Sequence, residues 1–266
     1  MDSNKIRSSA IKTGLMDRVR SAWCDSATGE LVQGVFLKPG MQVVDVGCGD
    51  GGYANFCAKM GCNVTFIDVQ ESKVRTLEKR LKGKFSGEIN GIVSSCDPIP
   101  LPDGFADLVI STEVLEHVQD PSKTLKEIVR IGGPQTTYVL TVPDARGEDL
   151  VKTVAPSAYF QEPNHIHIFT SDDFEKLADD CGLEIVRHDY NSAFWSIFFL
   201  LKWATSEPDE AVEALTENIH PATILWTQTW DEVLKHPNGD KILDALNTAL
   251  PRSQMIVAQR KVADQR

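Results

Sequence analysis

The chain has 266 residues, 42% of them hydrophobic, and a net charge of -11 from 27 basic and 38 acidic side chains. That length suits one α/β domain with an elaboration rather than two independent cores, and the acidity argues against a nucleic-acid-binding surface. No apolar run is long enough to cross a bilayer, the opening MDSNKIRSSA has no signal core, and the cysteines (24, 48, 57, 62, 96 and 181) form no C-x-x-C pair, so a cytoplasmic protein with reduced, mostly buried thiols is expected.

In chain order, residues 6–23 place Ile11, Leu15, Val19 and Trp23 four apart, the pattern of an amphipathic helix. A mixed segment, 28–36, leads to the turn Lys38-Pro39-Gly40. Val43, Val44 and Val46 then read as a buried parallel strand, which breaks into Gly47, Gly49, Gly51 and Gly52 and resumes as a helix over 53–60. Strand, glycine turn and helix bring backbone N–H groups at a helix N-terminus within reach of a ligand. Asp45, inside the strand, is the odd residue: a carboxylate there suits a ligand carrying positive charge and repels one carrying phosphate. Gly47, Gly49 and Gly52 also satisfy the dinucleotide fingerprint G-x-G-x-x-G, with Asp68 at a suitable distance for a ribose. Asp45 and a further acid, Asp97, have no part in that dinucleotide logic.

The segment VVDVGCGDGGY resembles the first motif of the class I S-adenosylmethionine-dependent methyltransferases. The resemblance covers about residues 38–186 and the last strand. It implies a cofactor site built from Asp45, Gly47, Cys48, Gly49 and Gly51, with Val69 and Thr112 beside it. Asp68, at the end of a strand over 63–68, would accept hydrogen bonds from the ribose hydroxyls. Asp97 and the backbone of Cys96, after a strand over 88–96, would read the adenine amine. Two plainer readings compete: Asp68 as the N-cap of a helix over 71–84, and Asp97 as part of an Asp-Pro turn.

The alternation continues with a strand over 108–111 and a helix over 124–130, with Pro121 in a first-turn position. A strand over 136–142 follows, then a helix over 172–181 capped by Ser171 and ended by Gly182, and strands over 183–190 and 254–260. The expected fold is α/β: a doubly wound, mostly parallel, seven-stranded Rossmann-like sheet with an antiparallel last strand. Residues 1–190 and 251–266 form its core, and 191–250 form a helical insertion that serves as cap, substrate contact or dimer contact. The insertion opens with SAFWSIFFLLKWA (192–204), which reads as a buried helix, a pocket or homodimer contact, or a membrane-surface helix. The last is disfavoured because Lys202 is its only cation. Trp226, Trp230 and Leu234 follow at helical spacing.

Methyl transfer needs an oriented acceptor and a destination for its proton. Glu113, Glu116 and His117, after the fourth strand, fall on one side of a helical turn by i, i+3 and i+4 spacing. His165 and His167 follow the fifth strand in HIHIF, a strand-like pattern that points both rings to one face. The segment E-V-L-E-H is similar to the metal-binding segment of the ubiquinone-pathway O-methyltransferases and of the small-RNA 2′-O-methyltransferases. That similarity implies Glu113, Glu116 and His117 as ligands of Mg2+, Mn2+, Fe2+ or Co2+, with His165 in the place of a further histidine of the RNA enzymes. The same segment is widespread among class I methyltransferases not known to need metal, which leaves Glu113 to cap or pair locally and His117 as a surface residue; His117 or His165 as a metal-free general base is a further alternative. His188, His220 and His236 have no partner visible in sequence and read as solvent-facing. The resemblance thus implies methylation of a small-molecule acceptor, foremost a hydroxyl of a sugar, phenolic or secondary metabolite. Metal-free N- or C-methylation, and a non-catalytic S-adenosylmethionine-binding scaffold, stand as the alternatives.

Overall fold

The computed structural model describes residues 23–206 and 220–261. The expected helix over 6–23 lies outside them, apart from Trp23. The described residues form two compact units, one of 23–142, 171–189 and 255–261, the other of 143–170, 190–206 and 220–254. The unit containing the expected insertion therefore also takes in the stretch from Pro143 to Thr170.

A short hairpin, β1 (Glu30–Val32) and β2 (Val35–Phe36), opens the first unit where a mixed segment was expected. Its main sheet contains β3 (Gln42–Val46), β4 (Asn63–Asp68), β5 (Ile89–Val93), β6 (Ala106–Thr112), β7 (Gly132–Pro143), β8 (Leu183–Asn191) and β9 (Ser253–Arg260). Their order is β5-β4-β3-β6-β7-β9-β8, with β3, β4, β5, β6 and β7 paired in parallel and the last strand antiparallel, a Rossmann-like arrangement. Val43, Val44 and Val46 have no solvent exposure because β3 lies centrally between β4 and β6. Burial on both faces explains the run of valines, which Asp45 alone interrupts.

Helix α1 (Gly52–Lys59) follows the glycine turn, and α2 (Glu71–Leu81) buries Val74, Leu77 and Leu81 at helical spacing. Helix α3 (Pro121–Arg130) begins three residues before the expected start at Thr124. Asp120 caps it, accepting from Lys123 N at 2.9 Å, and Pro121 has no N–H to leave unpaired in the first turn. Strand β7 likewise starts at Gly132 rather than Thr136. Tyr138 folds back so that its hydroxyl donates to Val129 O at 2.9 Å, and a Cβ at Gly132 would lie 2.2 Å from that hydroxyl. The first unit also contains α5 (Ser171–Asp180), which buries Phe174 and Ala178.

The second unit begins with α4 (Ala145–Lys152), a helix the sequence reading did not anticipate, capped by Asp144 accepting from Arg146 N. Among the described residues, 165–168 belong to no named strand, so the expected strand-like run is not formed there; Phe169 makes an isolated parallel bridge to Asp144. The remaining helices are α6 (Ala193–Ala204), α7 (Pro221–Lys235) and α8 (Gly239–Ala249). Phe194, Phe198, Trp230, Leu234 and Leu243 form their common core, and Trp226 stacks on Phe194 with ring centroids 6.0 Å apart. The most hydrophobic stretch of the chain thus supplies buried side chains to its own unit. Among the described residues no helix is long and apolar enough to cross a membrane.

Candidate functional site

The first unit places the glycine turn directly after β3. Gly47, Gly49 and Gly51 all have positive φ (71, 51 and 72 degrees). Gly47 N and Cys48 N both donate to Ile67 O, at 2.8 and 2.9 Å, which ties the turn to β4. A Cβ at Gly47 would lie 2.2 Å from Val114 Cγ2, and one at Gly51 would lie 2.3 Å from Leu77 Cδ1. Both positions therefore demand glycine on conformational and steric grounds. Among the described residues, a Cβ at Gly49 or Gly52 would meet nothing within 4 Å. In the dinucleotide fingerprint the third glycine allows close packing of helix on strand. Among the described residues Gly52 has no such close neighbour, so that reading finds no support in their packing.

Asp45 is 1% exposed; its Oδ2 accepts from Ala54 N at 3.1 Å, while Oδ1 has no hydrogen-bond partner among the described residues. Burial pushes its carboxyl up to about 7, with the Ala54 hydrogen bond opposing and the charge of Asp68 adding to the rise. Asp68 stands at the tip of β4, where Oδ2 accepts from Gly49 N at 3.0 Å and Oδ1 from Gln70 N at 2.9 Å. It is not the cap of α2, whose N-cap is Gln70. Each oxygen of Asp68 has further acceptor capacity. Val69, next to it, is two-thirds exposed at 67%.

Cys96 has φ 64 degrees and its N–H donates to Ser94 Oγ at 3.0 Å. Asp97 is half-exposed and forms an ion pair of 2.7 Å with Lys123 Nζ. Burial pushes the thiol of Cys48 up to about 12 and that of Cys96 to about 11, with neighbouring carboxylates contributing. Both are neutral packing groups rather than nucleophiles.

The 113–117 segment departs from the expected helical turn. Glu113 sits in the left-handed region at φ 54 degrees, and His117 N donates back to Val114 O at 3.0 Å. The i, i+3 and i+4 geometry is lost at its first residue. Glu113 Oε1 instead accepts from Thr141 Oγ1 at 2.9 Å. Glu116 is fully buried, its Oε1 3.6 Å from His117 Nε2. Thr112 ends β6 just before this turn.

His165 belongs to the second unit, where its Nδ1 lies 2.8 Å from Oε2 of Glu148 on α4. Arg252 Nη1 donates to the other oxygen of Glu148, and Arg252 Nη2 donates to the Tyr159 hydroxyl at 2.6 Å. The Tyr159 ring lies 4.7 Å from the His165 ring, centroid to centroid. Burial alone would raise the Glu148 carboxyl, but the Arg252 charge and the His165 hydrogen bond outweigh it and hold the group down to about 2. Glu148, Arg252 and Tyr159 were missed in sequence, since an arginine 104 residues away gives no local signal. His167 packs its ring 6.1 Å from Phe169. His188 is not solvent-facing: its side chain is 10% exposed and its Nδ1 lies 2.7 Å from Glu175 Oε1.

A model of the methyltransferase-domain family matches residues 18–188. Norajmaline N-methyltransferase of Rauvolfia serpentina is 26% identical over 188 residues, covering 69% of this chain and 58% of that one. The chain thus spans little over half the length of this relative. Ubiquinone biosynthesis O-methyltransferase of Dinoroseobacter shibae is 27% identical over 193 residues, 69% of this chain and 75% of that one. Among solved structures, geranyl diphosphate C-methyltransferase from Streptomyces coelicolor A3(2) shares the fold at a TM-score of 0.56 with 15% identity, covering 84% of this chain and 71% of that one. With the family model matched across the glycine turn and the strand tips, the chain belongs to the S-adenosylmethionine-dependent methyltransferase family.

Proposed function

We propose that the protein transfers a methyl group from S-adenosylmethionine to a small-molecule acceptor, at a hydroxyl oxygen. The observation that carries this reading is Asp45: a buried carboxylate with one oxygen unpartnered among the described residues, beside a glycine turn where none of those residues crowds Gly49. These features fit a nucleoside bearing cationic groups, and the turn's bare backbone leaves room for its close approach. Asp45 and the Gly47–Gly51 turn hold the amino-acid end, Asp68 takes the ribose hydroxyls, and Asp97 with the Cys96 backbone reads the adenine amine beside Val69 and Thr112.

When bound, the cofactor supplies a methyl group whose carbon–sulfur bond breaks with its electron pair passing to sulfur, as an acceptor lone pair takes the carbon. The chain's own residues orient the acceptor and receive its proton. His165 and His117 are the bases proposed for that role. The relatives' own names span N-, O- and C-methylation. Oxygen is preferred here on the E-V-L-E-H segment, which is similar to that of the ubiquinone-pathway O-methyltransferases. Transfer of labelled methyl into a metabolite extract, with the product resolved by mass, tests the reading. Absence of labelled product despite tight cofactor binding would favour the scaffold alternative.

The metal-assisted form of this reading draws on Glu113, Glu116, His117 and His165. A carboxylate and an imidazole, as in the Glu116–His117 pair of the first unit, are donors that divalent ions accept. A metal there would lower the pKa of the acceptor hydroxyl. Full activity of rigorously chelated protein rejects this form, and restoration by Mg2+, Mn2+, Fe2+ or Co2+ supports it. Residues 191–250 are proposed as the acceptor cap or homodimer contact, checked by the mass of the protein in solution and by acceptor binding to variants of that segment.

A further inference from the structure

A carboxylate that takes the hydrogens of the ribose hydroxyls, the role given to Asp68, serves only half of each hydroxyl. A hydroxyl donates one hydrogen and also offers two lone pairs, which call for a donor. Asp68 already acts as an acceptor, receiving Gly49 N and Gln70 N. The donor has to come from another side chain near the tip of β4. Helix α2 begins there, its N-cap Gln70 standing two residues after Asp68.

One face of α2 looks onto the glycine turn. Leu77 approaches so closely that a Cβ at Gly51 would lie 2.3 Å from its Cδ1, and Arg80 Nη2 donates to Asp50 O. Lys73, in the first turn of α2, precedes Leu77 by four residues and Arg80 by seven, which sets it on the same face. Of the other cations in this segment, Arg75 and Lys82 pair with acids of the same helix, and Lys79 is exposed. Lys73 is half-buried, and among the described residues its ammonium has neither a hydrogen-bond nor an ion-pair partner. Its charge is felt at the Cys48 thiol inside the turn, where it opposes the rise caused by burial, Asp45 and Asp68.

We propose that Lys73 is a further cofactor-binding residue, its ammonium donating to a ribose hydroxyl oxygen whose hydrogen Asp68 takes. The inference rests on the methyltransferase reading above. An ammonium has three donors and no acceptor, and an acceptor carboxylate is its complement. Together they answer both halves of a hydroxyl, which neither does alone. A nucleoside without ribose hydroxyls gives Lys73 nothing to donate to.

Calorimetric titration of the full chain tests this with S-adenosylhomocysteine and with its analogue lacking both ribose hydroxyls, the weaker ligand read by displacement. The proteins compared are the wild type and Lys73→Met, which keeps the apolar stem and removes the charge. The expected result is about tenfold weaker binding of S-adenosylhomocysteine to the variant, with the analogue bound equally by both proteins. Unchanged affinity for S-adenosylhomocysteine overturns the proposal, since a lysine that only covers apolar surface with its stem would tolerate the exchange. An equal loss for both ligands also overturns it, because the ammonium would then act on another part of the cofactor or at long range. Melting temperatures of the ligand-free proteins check that the variant is folded. Should Lys73→Met not fold, Lys73→Leu is read against the same outcomes. Failure of S-adenosylhomocysteine to bind the wild type overturns the methyltransferase reading instead, and the role of Lys73 with it.

Discussion

Replacing Asp45 with asparagine separates what the carboxylate does to the fold from what it does for a cationic ligand. Its carboxyl rises from 3.8 to about 7 because it is buried, with Asp68 adding to the rise. An acid with a higher pKa in the folded than in the unfolded chain binds more protons when folded, so stability falls as pH climbs from near 3.8 to about 7. At about 1.4 kcal/mol per tenfold change, the full penalty above pH 7 is about 4 kcal/mol, of which about 3 kcal/mol accrues between pH 5 and pH 8. Asp45→Asn keeps an acceptor for Ala54 N and removes the charge. Its new amide N–H adds a pH-independent loss of about 1–3 kcal/mol as a buried donor. Relative to wild type, the variant should therefore gain about 3 kcal/mol between pH 5 and pH 8, or about 6–12 °C in melting temperature for a chain of this size. The same variant should bind S-adenosylmethionine about 1–3 kcal/mol more weakly, having lost a charge partner. Thermal melts of ligand-free protein at the two pH values, paired with calorimetry, read both effects. A stability difference that is identical at both pH values refutes the reasoning, as does an unchanged affinity.

Further expectations follow from the same geometry. A bound cation favours ionised Asp45, so wild-type affinity for S-adenosylmethionine should strengthen as pH rises toward about 7, by up to about tenfold per pH unit, and Asp45→Asn should lose that dependence. Gly51→Ala should destabilise by about 2–4 kcal/mol in urea unfolding, because its Cβ meets Leu77 at positive φ, whereas Gly52→Ala should be neutral or stabilising by up to about 1 kcal/mol; equal effects would contradict the steric account. Asp68→Asn should weaken S-adenosylmethionine by about 1–3 kcal/mol in calorimetry, and an unchanged value would remove Asp68 from the ribose role. Lys123→Met should alter stability by under about 1 kcal/mol, the ion pair with Asp97 being exposed, and should leave cofactor affinity equal or higher; a marked loss of affinity would show that Lys123 itself serves the site.

The parts of the fold that could be read in advance are those where one residue type has one physical use. The valines of β3 must be buried on both faces, the glycines after them must turn, and β4 matches its expected limits of 63–68. Helix α4 escaped notice because its buried face consists of Gly147, Glu148 and Val151, and a carboxylate reads as surface until its cation is found. That cation, Arg252, arrives from the far end of the chain. The 113–117 segment carried helical spacing, yet nothing in its letters announced that Glu113 adopts a left-handed backbone. The hydroxyl that receives the Glu113 carboxylate, Thr141, comes from β7. His188 looked solitary for the same reason, its partner Glu175 lying on α5, 13 residues away. Local chemistry was legible; pairings across long loops of chain were not.

Calorimetric titration of the purified chain with S-adenosylmethionine and, separately, with NADH bears most directly on the strand-tip acids and the glycine turn. Saturable binding of the sulfonium nucleoside, with no heat from NADH, is the expected result. Binding of NADH in its place, or silence toward both, would contradict the account.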